Sequence, residues 1–146
     1  MTTGLVHLHN LLRWVVLITL LVSIYKLYAK QDALKVSKVL LISAHTTLLV
    51  GLYQYFFGNI GLQLIKSASG GMKEVMSDAS SRFWAVEHAF TMIIVIALIT
   101  VGHIRYKKSG KASSTLVLYV IALILILLIT PWPFKAGVGR PWLPGM

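Results

Sequence analysis

The chain has 146 residues, 57% of them hydrophobic and only 12% charged, and it has no cysteine. Soluble domains carry about 25% charged residues, so a water-soluble fold of this length lacks the interior to hide so much apolar side chain. The missing cysteines exclude disulfides, thiolate metal sites, iron–sulfur clusters and cysteine nucleophiles. The formal charge of +10 lies between apolar runs and reads as loop bias, with no nucleic-acid partner implied.

A helix that crosses a bilayer needs about 20 mostly apolar residues, and four segments qualify. The first spans about 5–28; it lacks a basic leader and a small-residue cleavage site, so it reads as a mature span and not a signal peptide. The second spans about 36–57, the third about 83–104 and the fourth about 114–130, where Pro131 and Pro133 stop it. The expected fold is a single all-α transmembrane domain over 1–146, an integral membrane four-helix bundle. Lys26, Lys30, Lys35 and Lys38 crowd the first connection, and Arg105, Lys107, Lys108 and Lys111 the third. Short basic connections stay on the cytoplasmic side, which places both termini and the 58–82 loop outside a bacterial inner membrane. In that loop Met72, Val75, Met76 and Ala79 have helical spacing, so a short amphipathic helix on the membrane surface is expected. Asp78, Ser80 and Ser81 are candidate caps for the third span. The Pro- and Gly-rich tail, PWPFKAGVGRPWLPGM, is expected to fold back over the outer mouth of the bundle.

Polar residues inside spans are costly unless paired or wetted, and so mark function. Counting helical rise from the outer ends, His9 and His88 lie roughly 6–9 Å deep, Arg13 roughly 13 Å and His45 roughly 18 Å, near the midplane. Two neutral imidazoles on facing helices at one level are what a b-type haem needs, and bundle cores hold such sites. His9 with His88 is the best level match for the haem iron, with His45 as the alternative ligand. Arg13, Arg82 and Arg140 stand on the outer side as cations for the propionates. Only Asp32, Glu74, Asp78 and Glu87 are acidic, so paired-carboxylate chemistry is not expected. Arg13 and Glu87 are close enough in depth to form a buried ion pair, either a lock between spans one and three or a proton-handling pair beside a quinone or haem. His9 and Arg13, four apart, share one helix face, whereas Glu87 and His88 diverge by about 100°. The bland readings are that His7 and His9 are interfacial, that His45 makes a contact across the bundle, and that His103 beside its basic loop is solvated. Span four offers no polar residue inside it, and Gly51 and Ser43 read as packing positions. Tyr53, Tyr55, Phe56 and Phe57 read as an interfacial aromatic belt.

The runs LHNLLRW, SAHTTLLVGL, FWAVEH, PWPF and GRPW resemble a family of small bacterial four-helix membrane proteins, common in the Bacteroidetes lineage and often labelled "cytochrome B". The likeness covers nearly the whole chain, with FWAVEH and PWPF its most specific pieces. It implies haem b held by histidines, and the matching positions are His9, Arg13, His45, Arg82, Glu87, His88 and Arg140. In layout alone the chain is also similar to the copper-resistance D and protoporphyrinogen-oxidase-like membrane proteins.

The leading expectation is a b-type haem membrane protein moving electrons between a quinol and a partner near the outer face. The alternative is a non-catalytic membrane subunit or assembly factor with structural histidines and an Arg13–Glu87 pair. A small transporter is disfavoured because span four provides no polar path. No protein nucleophile is evident, so any catalysis belongs to the cofactor. Besides lipid, the partners expected are a quinone and either a second copy or another membrane subunit.

Overall fold

The computed structural model describes residues 3–145, and every regular element among them is helical. Helix α1 is Thr3–Tyr28 and α2 is Leu34–Phe57. Two short helices follow, α3 Leu62–Ser67 and α4 Gly71–Ser77, and then a single turn, α5, at Ala79–Arg82. A π-helical turn over Phe83–Glu87 leads directly into α6 at His88–Ser109, and α7 is Ala112–Ile129. Four of these helical stretches are long and apolar enough to cross a membrane.

The stops are local chemistry. After α1 the chain turns at Lys30, whose φ is 57°, and Asp32 Oδ1 accepts the Leu34 amide at 2.9 Å as α2 begins. Helix α6 ends at Gly110 in the left-handed region, where its N–H closes on the Tyr106 carbonyl at 2.9 Å. Pro131 has no N–H to continue α7. The single amphipathic helix expected in the 58–82 loop is instead two, broken at Ala68–Gly70, with Val75 buried and Met72 and Met76 exposed. The break is fixed by Glu74, whose carboxylate accepts from the Gly70 N–H and the Ser69 hydroxyl and is held below the usual carboxylate range by them. Of the three candidate caps, Asp78 accepts from the Ser81 amide at 2.8 Å.

The long helices run up and down in sequence order, each packing on two neighbours: α1 on α2, α2 on α6, α6 on α7, and α7 back on α1. Leu20, Leu40, Val95, Ile99 and Ala122 form the fully buried centre. Large apolar side chains also point outward: Leu49 is 69% exposed, Leu128 66% and Phe90 65%. In lipid such faces are solvated, and the helices satisfy their own backbone groups.

The lysine-rich end contains a polar cluster that the sequence does not advertise. Ser37 Oγ lies 2.8 Å from His103 Nδ1 and 2.5 Å from the Tyr119 hydroxyl, and all three residues are buried. This corrects the reading of His103 as solvated and of the fourth span as lacking polar residues. The cluster ties α2, α6 and α7 together, and Thr115 adds a bond to the Gly102 carbonyl at 3.1 Å. Tyr119 fits only because Gly102 has no side chain: a Cβ there would lie 2.6 Å from Tyr119 Cε1.

Candidate functional site

At the opposite end, which carries Thr3 and the tail, the four helices part around a cavity of about 350 Å³. Its lower wall is apolar, made by Val16, Val95, Ile99 and Ile126. His9, Asn10 and Arg13 reach it from α1, Thr47 and Gly51 from α2, and His88 from the first turn of α6. Arg140, Pro141, Leu143 and Pro144 of the tail close it above, as the sequence led us to expect.

His9 and His88 face each other across this space, with ring centroids 6.4 Å apart and planes inclined at 67°. His88 Nδ1 points to the Ile129 carbonyl at 3.4 Å, a long contact that still orients the ring and leaves Nε2 available. His9 lies in a notch at Gly51, where an added Cβ would come within 3.2 Å of its Cε1. The His9 ring approaches the Thr47 carbonyl there, yet its buried Nδ1 lacks a partner in hydrogen-bonding geometry. Asn10 Oδ1 and Arg13 Nε are likewise buried and unpartnered. Three orphaned polar atoms on adjoining positions of one helix are unusual, because such atoms normally find partners.

The π-helical turn decides where His88 points. It widens the helix just before α6, at the residues that lead into His88, a distortion frequent at functional sites. Glu87 faces away from the cavity and accepts a 2.7 Å hydrogen bond from Arg82 Nε in an ion pair. The expected Arg13–Glu87 pair is therefore corrected: Glu87 is taken by Arg82, five residues earlier. Arg82 also donates to the Met76 carbonyl at 2.8 Å, so it braces the 58–82 loop and does not line the cavity.

Arg13 turns to the tail instead. Its Nη2 donates to the Pro141 and Trp142 carbonyls at 3.2 and 3.0 Å. Asn10 Nδ2 also donates to Pro141, and Trp14 Nε1 to Trp142 at 2.7 Å. Trp14, Trp132 and Trp142 pack against one another, and the Arg13 guanidinium lies over the rings of Trp14 and Trp132. Arg140 lies over the Trp84 ring at 4.9 Å. Among the described residues Arg82–Glu87 is the one ion pair, so Arg13 and Arg140 border the cavity as cations without a carboxylate. They favour an anionic group at its upper rim.

His45 does not join this constellation. It is exposed on the outward face of α2, and its Nδ1 bonds the Leu41 carbonyl at 2.9 Å. Tyr55, read as part of an aromatic belt, donates to the Ala85 carbonyl at 3.0 Å and so steadies the π-helical turn.

A metal ion bonded at about 2.0–2.1 Å to one nitrogen of each of two opposed imidazoles sets the ring centroids about 6.3 Å apart, taking about 1.1 Å from nitrogen to centroid. The observed 6.4 Å matches that separation, and it also lies within the roughly 4.5–7 Å of rings packed directly edge to face. Among the described residues no group of three or more His, Asp or Glu side chains is gathered to hold a metal, so any ion here would have two protein ligands and further donors of its own. No family model, curated protein or solved structure matches the chain.

Proposed function

We propose that the chain is a multi-pass protein of the bacterial inner membrane, with both termini outside, that binds one b-type haem between His9 and His88. In this reading it passes electrons between a quinol and a partner at the outer face. The observation that carries the proposal is the 6.4 Å separation of the two imidazoles beside a cavity. His9 and His88 would hold the iron and the porphyrin would supply its other donors, so no third protein ligand would be needed. The resemblance of LHNLLRW and FWAVEH to the family labelled "cytochrome B" points the same way.

Haem supplies the one-electron chemistry; the chain supplies binding, orientation and electrostatics. His88 is aimed by the Ile129 carbonyl and the π-helical turn, and His9 by the Gly51 notch. A ligand that orients its second ring nitrogen in this way has a fixed tautomer. Arg13 and Arg140 are the cations for propionates, and the unpartnered Arg13 Nε and Asn10 Oδ1 offer polar contacts at the same rim. The apolar wall of Val16, Val95, Ile99 and Ile126 keeps water from the lysine-rich end, which favours exchange with a partner at the tail end. The same wall speaks against a transport path.

The test is a haem titration of the purified apo-protein in detergent. One haem per chain is expected to bind, with uptake abolished in His9→Ala and in His88→Ala and retained in His45→Ala. A folded protein that takes up no haem, or one whose uptake survives both cavity substitutions, would overturn the reading and leave a structural membrane subunit.

A further inference from the structure

The outward face of α2 differs from those of the other spans. Midway along α1, α6 and α7 the exposed side chains are apolar, as with Ile18, Ile94 and Ile121. On α2 His45 and Thr46 are exposed at the same level. His45 Nδ1 must carry the proton it gives to the Leu41 carbonyl, so Nε2 is an acceptor, and it receives no hydrogen bond among the described residues. Facing hydrocarbon, such an atom is costly, and polar groups at that depth face protein or water.

The residues around it form a seam. Val39, Ile42, Thr46, Leu49, Tyr53 and Phe56 are all exposed, at alternating spacings of three and four. The exposed faces of α6 (Phe90, Ile94, Ala97, Val101) and α7 (Val117, Val120, Ile124, Leu127) alternate in the same way, so the spacing supplies an a/d register and the polar pair is what singles out α2. Thr46 takes an a position, where a single polar residue fixes register and oligomer state, and His45 takes the g position before it. In a parallel pair, a residue at a packs against the g and a residues of the facing helix.

We infer that α2 is a dimerisation seam for a second copy of this chain, registered by reciprocal hydrogen bonds from each Thr46 hydroxyl to the His45 Nε2 of the other copy. Two copies inserted the same way are related by a two-fold axis along the membrane normal, which makes their α2 helices parallel. Adjacent residues differ by about 1.5 Å in height, so His45 of one copy and Thr46 of the other are nearly level. A two-fold contact needs this kind of self-complementary pairing. The Thr46 hydroxyl, now donating to the Ile42 carbonyl at 2.9 Å, swings to the new acceptor. The inference rests on the membrane-spanning part of the proposed function and is independent of haem.

The native chain has no cysteine, so single cysteines report the contact without background. In liposomes holding the full chain, oxidation is expected to link copies through Ile42→Cys and Leu49→Cys but not through Ile121→Cys on α7. Thr46→Val, equal in volume, is expected to weaken dimerisation about eightfold when the lipid-to-protein ratio is titrated, the effect of losing two interhelical bonds of membrane-typical strength. His45→Phe should do the same; if it fails to fold, Thr46→Val decides. Cross-linking at the α2 positions no stronger than at Ile121→Cys overturns the inference. So does a dimer indifferent to Thr46→Val, or a product in native membranes whose mass is that of a different protein. Haem uptake in the same samples reports separately on the proposed function.

Discussion

Two glycines make opposite predictions when each is changed to alanine. In Gly51→Ala the new methyl lies 3.2 Å from His9 Cε1 and 3.7 Å from Nδ1, against about 3.5–4.0 Å for a relaxed carbon contact. The imidazole can retreat by a few tenths of an ångström into the cavity, at about 0.5–1.5 kcal/mol if its rotamer is forced. Alanine returns about 1 kcal/mol through helix propensity, so folding stability stays within about 1 kcal/mol of wild type. The displaced ring shows instead in haem affinity, which falls about fivefold for 1 kcal/mol of misplacement. In Gly102→Ala the methyl meets Tyr119 Cε1 at 2.6 Å, and Tyr119 is fully buried with its hydroxyl committed to Ser37. Overpacking of about 1–3 kcal/mol and a strained hydrogen bond outweigh the same propensity gain of about 1 kcal/mol and make this variant less stable, while the proposed haem site, at the other end, is undisturbed. Haem titration and thermal unfolding of both variants in one detergent separate the cases. The reasoning is refuted if Gly51→Ala binds haem like wild type, or if it loses as much stability as Gly102→Ala.

Ser37→Ala leaves His103 Nδ1 and the Tyr119 hydroxyl buried without partners, for a loss of about 1–3 kcal/mol. Adding Tyr119→Phe should recover part of it in thermal melts. Arg82→Gln breaks a pair whose side chains are 34% and 42% exposed, so it should cost under about 1 kcal/mol and leave the haem spectrum unchanged. Deleting 131–146 removes the carbonyls that hold Arg13 and Trp14. Helix content by circular dichroism should persist while haem affinity falls at least about tenfold, and unchanged affinity would show that the tail is no part of the site.

The long helices were legible because their signal is compositional: four apolar runs punctuated by lysines, glycines and prolines. The levelling of His9 with His88 was legible too, since helical rise converts residue count to depth. Lateral direction was not. Whether His45 faces inward depends on helix rotation, which packing sets, and the π-helical turn that leads into His88 has no mark in the letters FWAVEH. Arg13 illustrates a second blind spot. Its acceptors are backbone carbonyls of Pro141 and Trp142, and carbonyls are present at every residue, so a search for carboxylate partners cannot find them. The Ser37–His103–Tyr119 cluster spans three helices, and no spacing within one helix could reveal it.

The most direct test of the central claim is the visible spectrum of the detergent-purified protein, oxidised and then reduced with dithionite, after expression with ample haem. A sharp reduced α-band that disappears in His9→Ala and in His88→Ala, and survives in His45→Ala, is the result the facing imidazoles predict. A colourless folded protein, or an α-band lost only in His45→Ala, would contradict it.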